Sequence, residues 1–597
     1  MSNITIGRII EKLRQEKNYS RKKLCQGLCS TQMLIKIETN KSDVDKFMSD
    51  ILLQRLGKSP DKLEILISKE EYRKLYMRDE IEELIWKRKK EEAEALLLEY
   101  ENSYAKDNTV QKMFVLRTKA YLCQELEGDS ARAEAYMRQA VELTLPGMKM
   151  ENMNEYLLAA IELENILELS YLILQQGRVQ EAAWILEACQ KYVEKNVTDE
   201  VEYTKIFSKI AWLSSLVYIK RDEYDKAIKI GDCAFENLRK YGNLYFMMPL
   251  LEQLIQCCEK LGKDESRKKY QIYDELIKEL YQQYGEEWYC QNSLFHNCCQ
   301  TGYHLISEFI RQERQAKKLT QEQLIEGVYE GPENLSRIEN GRVVPTRKKL
   351  DGLLKNLGVE RGKYCGTLVV EDFEILESKY EIDILVGTGK YKEAQKKLSE
   401  LEKRIDNEEK INKMAMSIYK MVIELGVELS TGRMHVEAIQ ESVRTLLEKN
   451  GVLRDGRVYR VPFFYEMAAL NALGICLKRT GKRQEAIAIY QDILRCVEES
   501  AIDEKYQNLI VSPVVANLDL YDSKRKWGKK GISYELRCGK GKMLYMHFYS
   551  QVELMEEECV KREMTRKAYY LSELFYRENN RQQIKEYYEK TYGEIIE

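Results

Sequence analysis

The amino-acid sequence predicts an all-α fold, and three observations support this class. Helix breakers are scarce, because the 597 residues include only 7 prolines and 31 glycines. Long stretches repeat apolar residues at intervals of three and four, the spacing of one face of an α-helix. No convincing run of strands is present. With this length and 44% hydrophobic content, the chain is expected to form several domains, each with its own interior.

Composition and charge limit the classes of function. The formal net charge is -3, so any contact with nucleic acid must depend on local basic patches. The 15 cysteines are an odd number spread through helical segments, and the N-terminal segment lacks the apolar core of a signal peptide. We therefore expect a cytoplasmic protein with reduced thiols. No apolar run reaches the length of a membrane span, so no membrane partner is expected.

A helix-turn-helix is predicted in the middle of the chain, over residues 319–342. Thr320 is a natural N-cap for a helix whose apolar residues have helical spacing. Gly331 and Pro332 end that helix and begin another, because glycine permits a left-handed turn and proline is tolerated at a first helical position. Gly341 is expected to end the second helix.

A similar unit lies roughly 300 residues earlier, half the chain length, which indicates an internal repeat. Asn40 aligns with Gly341, and both residues tolerate the left-handed conformation that ends a helix. Further aligned pairs are Ile10 and Ile310, Arg14 and Arg314, Ser20 and Thr320, Leu34 and Leu335, Glu38 and Glu339, and Leu56 and Leu357. The sequence thus predicts a tandem duplication with a first head (1–67), a first body (68–303), a second head (304–366) and a second body (367–597).

The bodies are predicted to consist of helical hairpins. Leu473, Gly474, Gly481, Ala486 and Tyr490 occupy the positions that define a tetratricopeptide (TPR) repeat, in which small residues let two helices approach closely. Weaker copies turn at Gly128 before Ala133, at Gly177 before Ala182, at Asp222 before Ala227, and at Gly389 before Ala394. A generic antiparallel helical array without a groove is the alternative.

TPR-like hairpins stack into a superhelix whose inner surface commonly holds extended peptides or partner helices. Asn471 is expected on that inner surface, where its amide is suited to pairing with a peptide backbone. A plain solvated side chain is the other interpretation of this residue.

The second helix of a helix-turn-helix enters the major groove of DNA, with its N-terminal residues near the base edges. In the first head, Gln32 is suited to adenine, and Lys36 to a guanine edge or a phosphate. The candidate DNA-binding residues of this head are Arg21, Ser30, Thr31, Gln32, Lys36 and Lys41. In the second head they are Gln321, Asn334, Arg337 and Arg342. Glu333 would repel phosphates, although a carboxylate can accept from cytosine.

Both heads resemble the XRE (Cro-repressor-like) helix-turn-helix, over residues 13–41 and 314–342. A head followed by a TPR body resembles the peptide-pheromone-responsive transcription regulators of Gram-positive bacteria. The resemblance implies a dimeric regulator whose body senses a short peptide or contacts a partner protein. The chain departs from that family by carrying head and body twice, which leaves open whether one chain or a homodimer binds the duplex. The first head also has Arg21 where the second has the more typical Gln321.

No motif for catalysis, a cofactor or a metal is found. Residues 386–392 fail the phosphate-loop spacing, since Ile384 stands where a glycine is required and Tyr391 where a serine or threonine is required. The four histidines form no metal-ligand motif with cysteine at the familiar spacings. We therefore expect a non-enzymatic, sequence-specific DNA-binding transcription regulator gated by a ligand of its bodies. The alternative is a helical-repeat peptide- or protein-binding scaffold whose heads no longer touch DNA.

Overall fold

The computed structural model describes residues 5–284, 302–359, 364–365, 368–405, 409–431, 436–520, 526–552 and 555–596. It is 75% helical with almost no strand, which confirms the predicted all-α class. Among the described residues, no helix combines the length and hydropathy that a bilayer crossing requires. The predicted boundary between 366 and 367 lies outside the described residues.

Four helices and a short strand form the first head: α1 (Ile6–Glu16), α2 (Arg21–Cys25), α3 (Thr31–Glu38), α4 (Lys46–Arg55) and β1 (Glu64–Ile67). Each helix begins directly after a residue whose side-chain oxygen accepts a backbone N–H of the first turn, namely Thr5, Ser20, Ser30 and Asp45. These caps replace bonds that a helix N-terminus otherwise lacks, so the local sequence fixes where each helix starts.

The second head has the same order of helices: β2 (Tyr303–Leu305), α15 (Ile306–Ala316), α16 (Gln321–Ile325), α17 (Pro332–Glu339), α18 (Arg347–Asn356) and β3 (Tyr364–Cys365). Thr320 caps α16 and forms a capping box with Gln323, and α17 begins at Pro332, as predicted. Asn40 has φ +61 and Gly341 has φ +69. The prediction that both residues adopt the left-handed conformation after α3 and α17 is therefore confirmed.

The first body contains α5 (Lys69–Trp86), α6 (Lys90–Tyr100), α7 (Thr109–Tyr121), α8 (Ser130–Thr144), α9 (Ala160–Gln175), α10 (Val179–Asn196), α11 (Glu200–Lys220), α12 (Tyr224–Tyr241), α13 (Met247–Leu261) and α14 (Asp264–Gln283). The second body contains α19 (Phe373–Gly387), α20 (Tyr391–Glu402), α21 (Lys410–Thr431), α22 (Val436–Lys449), α23 (Phe464–Arg479), α24 (Arg483–Glu498), α25 (Asn508–Asp519), α26 (Lys526–Arg537), α27 (Leu544–Tyr549), α28 (Glu558–Leu574) and α29 (Glu578–Tyr592). Most of these helices pack on their neighbours in sequence, as in a helical-repeat array.

The hairpin turns lie where the small residues predict them. All five predicted turn residues have positive φ, namely Gly128, Gly177, Asp222, Gly389 and Gly481. The alanine that follows each turn is 0% exposed, namely Ala133, Ala182, Ala227, Ala394 and Ala486. A Cβ at Gly474 would overlap the hydroxyl of Tyr490, so glycine is required for α23 and α24 to pack this closely.

A three-stranded sheet of order β2-β1-β3 joins the two heads, although the sequence predicted no strand. β1 pairs in parallel with β2, with Ile65 opposite Tyr303, and antiparallel with β3, with Glu64 opposite Cys365. The strands contain 4, 3 and 2 residues, which is too short for alternation to be visible in the sequence.

The two bodies also meet, at the loops that follow α12 and α26. The backbone N–H of Leu244 donates to the carbonyl of Gly539 at 2.9 Å, and the N–H of Gly541 donates to the carbonyl of Gly242 at 3.0 Å. The guanidinium of Arg239 donates to the carbonyl of Leu574 at the end of α28, at 3.0 Å. The two halves of the chain are therefore in contact at the heads and again at the bodies.

Candidate nucleic-acid interface

The second helix of the first head, α3, presents a continuous exposed face. Buried Leu34 and Ile37 anchor one side of α3 in the head, so the opposite side faces solvent. The predicted residues Ser30, Thr31, Gln32 and Lys36 are all exposed, and so is Lys41 beyond the helix end. Ser30 also caps α3, since its Oγ accepts the N–H of Met33 at 3.1 Å. Sequence reasoning missed Met33 and Ile35, which are 37% and 38% exposed on this face.

A buried carboxylate fixes the orientation of α3. Glu38, which is 0% exposed, accepts from Arg14 Nε at 2.6 Å and from Arg14 Nη2 at 3.1 Å. Arg21 Nε donates to the same carboxylate at 2.6 Å. Arg21 was predicted to meet a DNA phosphate, and the structure gives it an intramolecular partner that ties α2 to α3. Its phosphate contact stays a prediction.

The second head repeats this network around Glu339. Arg314 donates to Glu339 from Nε at 2.6 Å and from Nη2 at 3.0 Å, and Gln321 Nε2 donates to it at 3.0 Å. Gln321 therefore occupies the place of Arg21, with an amide in place of a guanidinium. On α17, buried Leu335 and Ile338 anchor the helix, and the predicted residues Asn334, Arg337 and Arg342 are exposed.

The two heads differ in surface charge. From residue 21 to 42 the first head has five basic residues (Arg21, Lys22, Lys23, Lys36 and Lys41) and a single acidic one, the buried Glu38. From residue 321 to 343 the second head has two basic residues (Arg337 and Arg342) and five acidic ones (Glu322, Glu326, Glu330, Glu333 and Glu339). Three further basic residues follow at the start of α18, namely Arg347, Lys348 and Lys349. The first head is therefore the more attractive of the two to phosphates.

The two halves of the chain contact each other directly behind the second helices of the heads. Arg347 Nη1, at the start of α18, donates to Asn40 Oδ1 at 2.9 Å. Lys69 Nζ, at the start of α5, donates to the carbonyl of Asn340 at 3.1 Å. Asn40 directly follows the C-cap of α3, and Asn340 is the C-cap of α17. These bonds therefore position the exposed faces of the two helices relative to each other.

The first head is clamped to the first body by Arg55, a residue that sequence reasoning missed. Arg55 is 4% exposed and donates from Nε to Glu162 at 3.0 Å, which links α4 to the start of α9. Its other nitrogens donate to the carbonyls of Leu24, Gln26 and Thr144 at 3.0, 2.7 and 3.1 Å. The sequence does not distinguish a buried arginine that links two domains from a surface arginine, because the partners of Arg55 lie in other segments of the chain.

The candidate peptide-binding residue, Asn471, lies half-buried on α23. Its Oδ1 accepts from Asn517 Nδ2 on α25 at 2.6 Å, and the hydroxyl of Tyr490 lies 3.5 Å from the same oxygen. The side chain therefore bridges neighbouring hairpins. Its role in peptide binding stays a prediction.

The first body contains a buried charged cluster that the sequence did not reveal. Arg117 and Glu164 are 0% exposed and Lys209 is 2% exposed. Lys209 pairs with both Glu164 and Glu168, and Arg117 Nη1 donates to Asn165 Oδ1 at 3.0 Å. Burial raises the pKa of Glu164 above its ordinary value, while Lys209 and Arg117 oppose this shift. Among the described residues, no group of three or more His, Cys, Asp or Glu is arranged to hold a metal ion.

Residues 310–363 match the family model described as Helix-turn-helix. No curated protein matches the chain. Among solved structures, the chain is similar to Bacillus thuringiensis PlcR in complex with the peptide PapR7 and DNA, with 18% identity, coverage of 47% of this chain and 98% of that chain, and a TM-score of 0.30. The apo form of the same protein matches at 17% identity, with coverage of 46% and 97% and a TM-score of 0.29. The APC/C hetero-tetramer Cut9-Hcn1 matches at 12% identity, with coverage of 81% and 87% and a TM-score of 0.18.

Proposed function

We propose that the protein is a cytoplasmic, sequence-specific DNA-binding transcription regulator whose TPR-like bodies bind a regulatory peptide or a partner protein. The observation that supports this function most strongly is the helix-turn-helix domain at residues 310–363. Its second helix exposes hydrogen-bonding side chains instead of burying them, as a helix that enters a major groove must.

The exposed side chains divide by chemistry into base-reading and backbone-contacting groups. Gln32 and Asn334 carry amides that can bond adenine with two hydrogen bonds, and Lys36 and Arg337 can donate to guanine. The remaining candidates are suited to phosphate oxygens, namely the exposed Ser30, Thr31, Lys41 and Arg342 and the half-buried Arg21 and Gln321. The phosphate contacts supply most of the affinity, and the base contacts supply the sequence preference.

A structural change caused by a ligand in the bodies would be transmitted to the heads through direct contacts. In the first half, Arg55 joins α4 to Glu162 on α9. In the second half, Arg460 pairs with Glu313 on α15 and donates to Glu466 on α23 at 2.8 Å. Glu162 and Glu466 each accept the backbone N–H of the residue before their helix at 2.8 Å, so both clamps attach to a helix start in a body. A ligand that shifts α9 or α23 therefore changes the position of a head.

A gel shift with genomic fragments tests the DNA-binding part of the proposal. We expect sequence-preferring binding whose logarithm of affinity falls linearly with the logarithm of salt concentration. Arg337→Ala should relax the base preference, whereas Lys41→Ala should weaken binding to all sequences alike and reduce the salt slope by about 1. Absence of any salt-sensitive, sequence-preferring binding by the wild type would refute the function.

Calorimetry against short secreted peptides tests the ligand part. Asn471→Ala should weaken binding of an active peptide, because the bridging amide between α23 and α25 is lost. Gln190→Ala, at a half-buried position on α10, is the control and should leave the affinity unchanged. If no peptide binds the wild type, the ligand proposal fails. The DNA-binding proposal is tested separately by the gel shift.

The second candidate function is a peptide- or protein-binding scaffold whose heads no longer touch DNA. The exposed acidic residues of the second head favour it, because Glu322, Glu326, Glu330 and Glu333 would face or flank a phosphate backbone. Peptide or protein binding by the bodies together with a negative gel shift would support the scaffold.

A further inference from the structure

We propose that a single chain reads a non-palindromic duplex, with each head on a half-site of different sequence. This inference rests on the proposed DNA-binding function and specifies its target. It follows from two observations, a two-fold relation between the halves of the chain and a difference in chemistry between α3 and α17.

The first sign of two-fold symmetry lies in the sheet between the heads. Glu64 and Cys365 are opposite each other in the antiparallel pair of β1 and β3. They are 301 positions apart, as are Leu34 and Leu335, so equivalent positions of the two heads pair with each other. β1 and β3 are therefore equivalent strands that run in opposite directions and pair at an equivalent residue. A two-fold axis at the pair of Glu64 and Cys365 relates two strands arranged in this way.

The same relation recurs where the bodies meet. Leu244 donates to Gly539, and Gly541 donates to Gly242, at 2.9 and 3.0 Å. Gly242 and Gly539 both have left-handed φ, +67 and +61, and the next residue in each loop, Asn243 or Lys540, donates its N–H to the carbonyl five positions earlier. The two loops are therefore equivalent, and each half gives the other the same hydrogen bond. This exchange of identical contacts is the pattern of an isologous dimer interface. Here both sides of the interface belong to one chain.

A dimeric helix-turn-helix protein places its two second helices in successive major grooves about 34 Å apart, and identical helices then require a palindromic site. The present helices are not identical. α3 exposes Thr31, Gln32, Met33, Ile35 and Lys36, whereas the equivalent positions on α17 are Pro332, Glu333, Asn334, Ser336 and Arg337. The heads are arranged with two-fold symmetry, but the exposed faces of α3 and α17 differ in chemistry. Such an arrangement fits a DNA site whose two halves have different sequences.

The chemistry of each helix specifies its half-site. Gln32 fits adenine, the apolar Met33 and Ile35 fit the methyl groups of thymine, and Lys36 is left to a phosphate, so the first head should select A·T pairs. On α17, Asn334 fits adenine, but Arg337 fits guanine and Glu333 fits the amino group of cytosine, so the second head should select a half-site that contains G·C pairs. The basic surface of the first head supplies most of the phosphate contacts and offsets the acidic surface of the second.

Selection from a randomised duplex library with the purified full-length chain tests this inference. The expected enriched site is non-palindromic, with one A·T-rich and one G·C-containing half, and native mass spectrometry should find one chain per duplex. Inserting about 5 base pairs between the halves should reduce affinity by at least about 10-fold, because half a helical turn places the second half-site on the opposite face of the duplex. A palindromic site or two chains per duplex would overturn the inference and leave the DNA-binding function intact. No enriched site at any salt concentration would overturn both.

A helix exchange gives a gain-of-function test. The variant Gln32→Glu, Met33→Asn, Ile35→Ser and Lys36→Arg gives α3 the exposed chemistry of α17 at solvent-facing positions, so the head should stay folded. The site that this variant selects should become palindromic, with the half-site of the second head on both sides, and it should bind the wild-type site about 10- to 100-fold more weakly. Arg337→Ala is the reciprocal control and should relax only the G·C-containing half. An unchanged selected site for the exchange variant would contradict the assignment of α3 as a reading helix.

Discussion

The buried carboxylate of the first head allows a sharp test of how that head is held together. Glu38 is 0% exposed and accepts from two arginines, Arg14 and Arg21. Glu38→Gln keeps the shape of the side chain and removes its charge. The amide group of glutamine donates hydrogen bonds, so it faces the donating guanidiniums without a full set of acceptors.

The magnitude follows from the burial of the partners. Removing one partner of a buried ion pair costs about 3–5 kcal/mol, because the remaining charge stays buried and uncompensated. The side chain of Arg14 is 9% exposed, so this penalty applies to it. The side chain of Arg21 is 35% exposed, so solvent screens it and we assign it no further cost. We therefore expect the free energy of opening of the first head to fall by about 3 kcal/mol.

Hydrogen exchange measured by mass spectrometry is the suitable assay, because it reports the opening of each head separately in a multidomain chain. Amides of α1 and α3 should exchange about 100-fold faster in Glu38→Gln than in the wild type. Glu339→Gln is the matched variant, and it should accelerate α15 and α17 and leave α1 and α3 unchanged. Exchange in α1 and α3 within about threefold of the wild type would refute the reasoning.

Two further predictions concern the first head. Gly27 and Gly327 both have φ +71, but a Cβ at Gly27 would overlap a backbone carbonyl of the first body, whereas Gly327 has open space around it. Gly327→Ala should therefore cost about 1 kcal/mol of local strain, and Gly27→Ala about 2–4 kcal/mol because the head is also displaced, as measured by urea denaturation and by exchange in α2. Burial raises the pKa of Asp50 from 3.8 to about 6, and the ion pair with Lys46 only partly opposes this. Since the folded state holds this proton more tightly, the contribution of Asp50 to stability is full below pH 3.8 and is lost as the pH rises through 6. Asp50→Asn should remove that loss, so the variant should gain stability over the wild type between pH 4 and pH 7 in urea titrations; a constant difference across this range would contradict the assignment.

Local sequence signals predicted the parts of the fold that depend on neighbours along the chain. The capping of α16 by Thr320 needs atoms within three residues, and the left-handed Asn40 and Gly341 are set by their own side chains or the lack of one. The turn at Gly481 and the buried Ala486 similarly belong to one hairpin. Such features survive in any tertiary context, so composition and spacing are enough to find them.

Contacts between distant segments were beyond the reach of the sequence. β1, β2 and β3 exist because the heads meet, and their 2 to 4 residues carry no alternation of their own. The backbone N–H of Phe464 donates to Glu64 across 400 positions of the chain, at 2.7 Å. No periodicity encodes a partner that far away. Arg21 illustrates the same limit at the candidate interface, since the sequence did not reveal its intramolecular partner Glu38.

The sequence only partly predicted which apolar side chains of α3 are exposed, because their exposure depends on how the helix packs in the head. Met33, Leu34 and Ile35 form a continuous apolar run, and helical spacing alone does not say which of them faces the core. Leu34 is 0% exposed, while Met33 and Ile35 are exposed on the side that carries Gln32 and Lys36. The exposure of Met33 and Ile35 on this face therefore follows from the packing of the head and not from the sequence pattern.

The two halves of the chain are joined both at the heads and at the bodies. These two contacts limit how a ligand of the bodies would act on DNA binding. The heads are held by β1–β3 and by the bond from Arg347 to Asn40, and the bodies are held by the exchanged bonds at Gly242 and Gly539. A change in the angle between the bodies must therefore either change the separation of the heads or break one of these contacts. Under the proposed function, a duplex accepts the two second helices only at a fixed spacing, so a ligand that alters this separation would change the affinity of both heads together. A 100-fold effect requires the ligand to prefer one arrangement by about 2.7 kcal/mol, which the loss or gain of a few hydrogen bonds can supply.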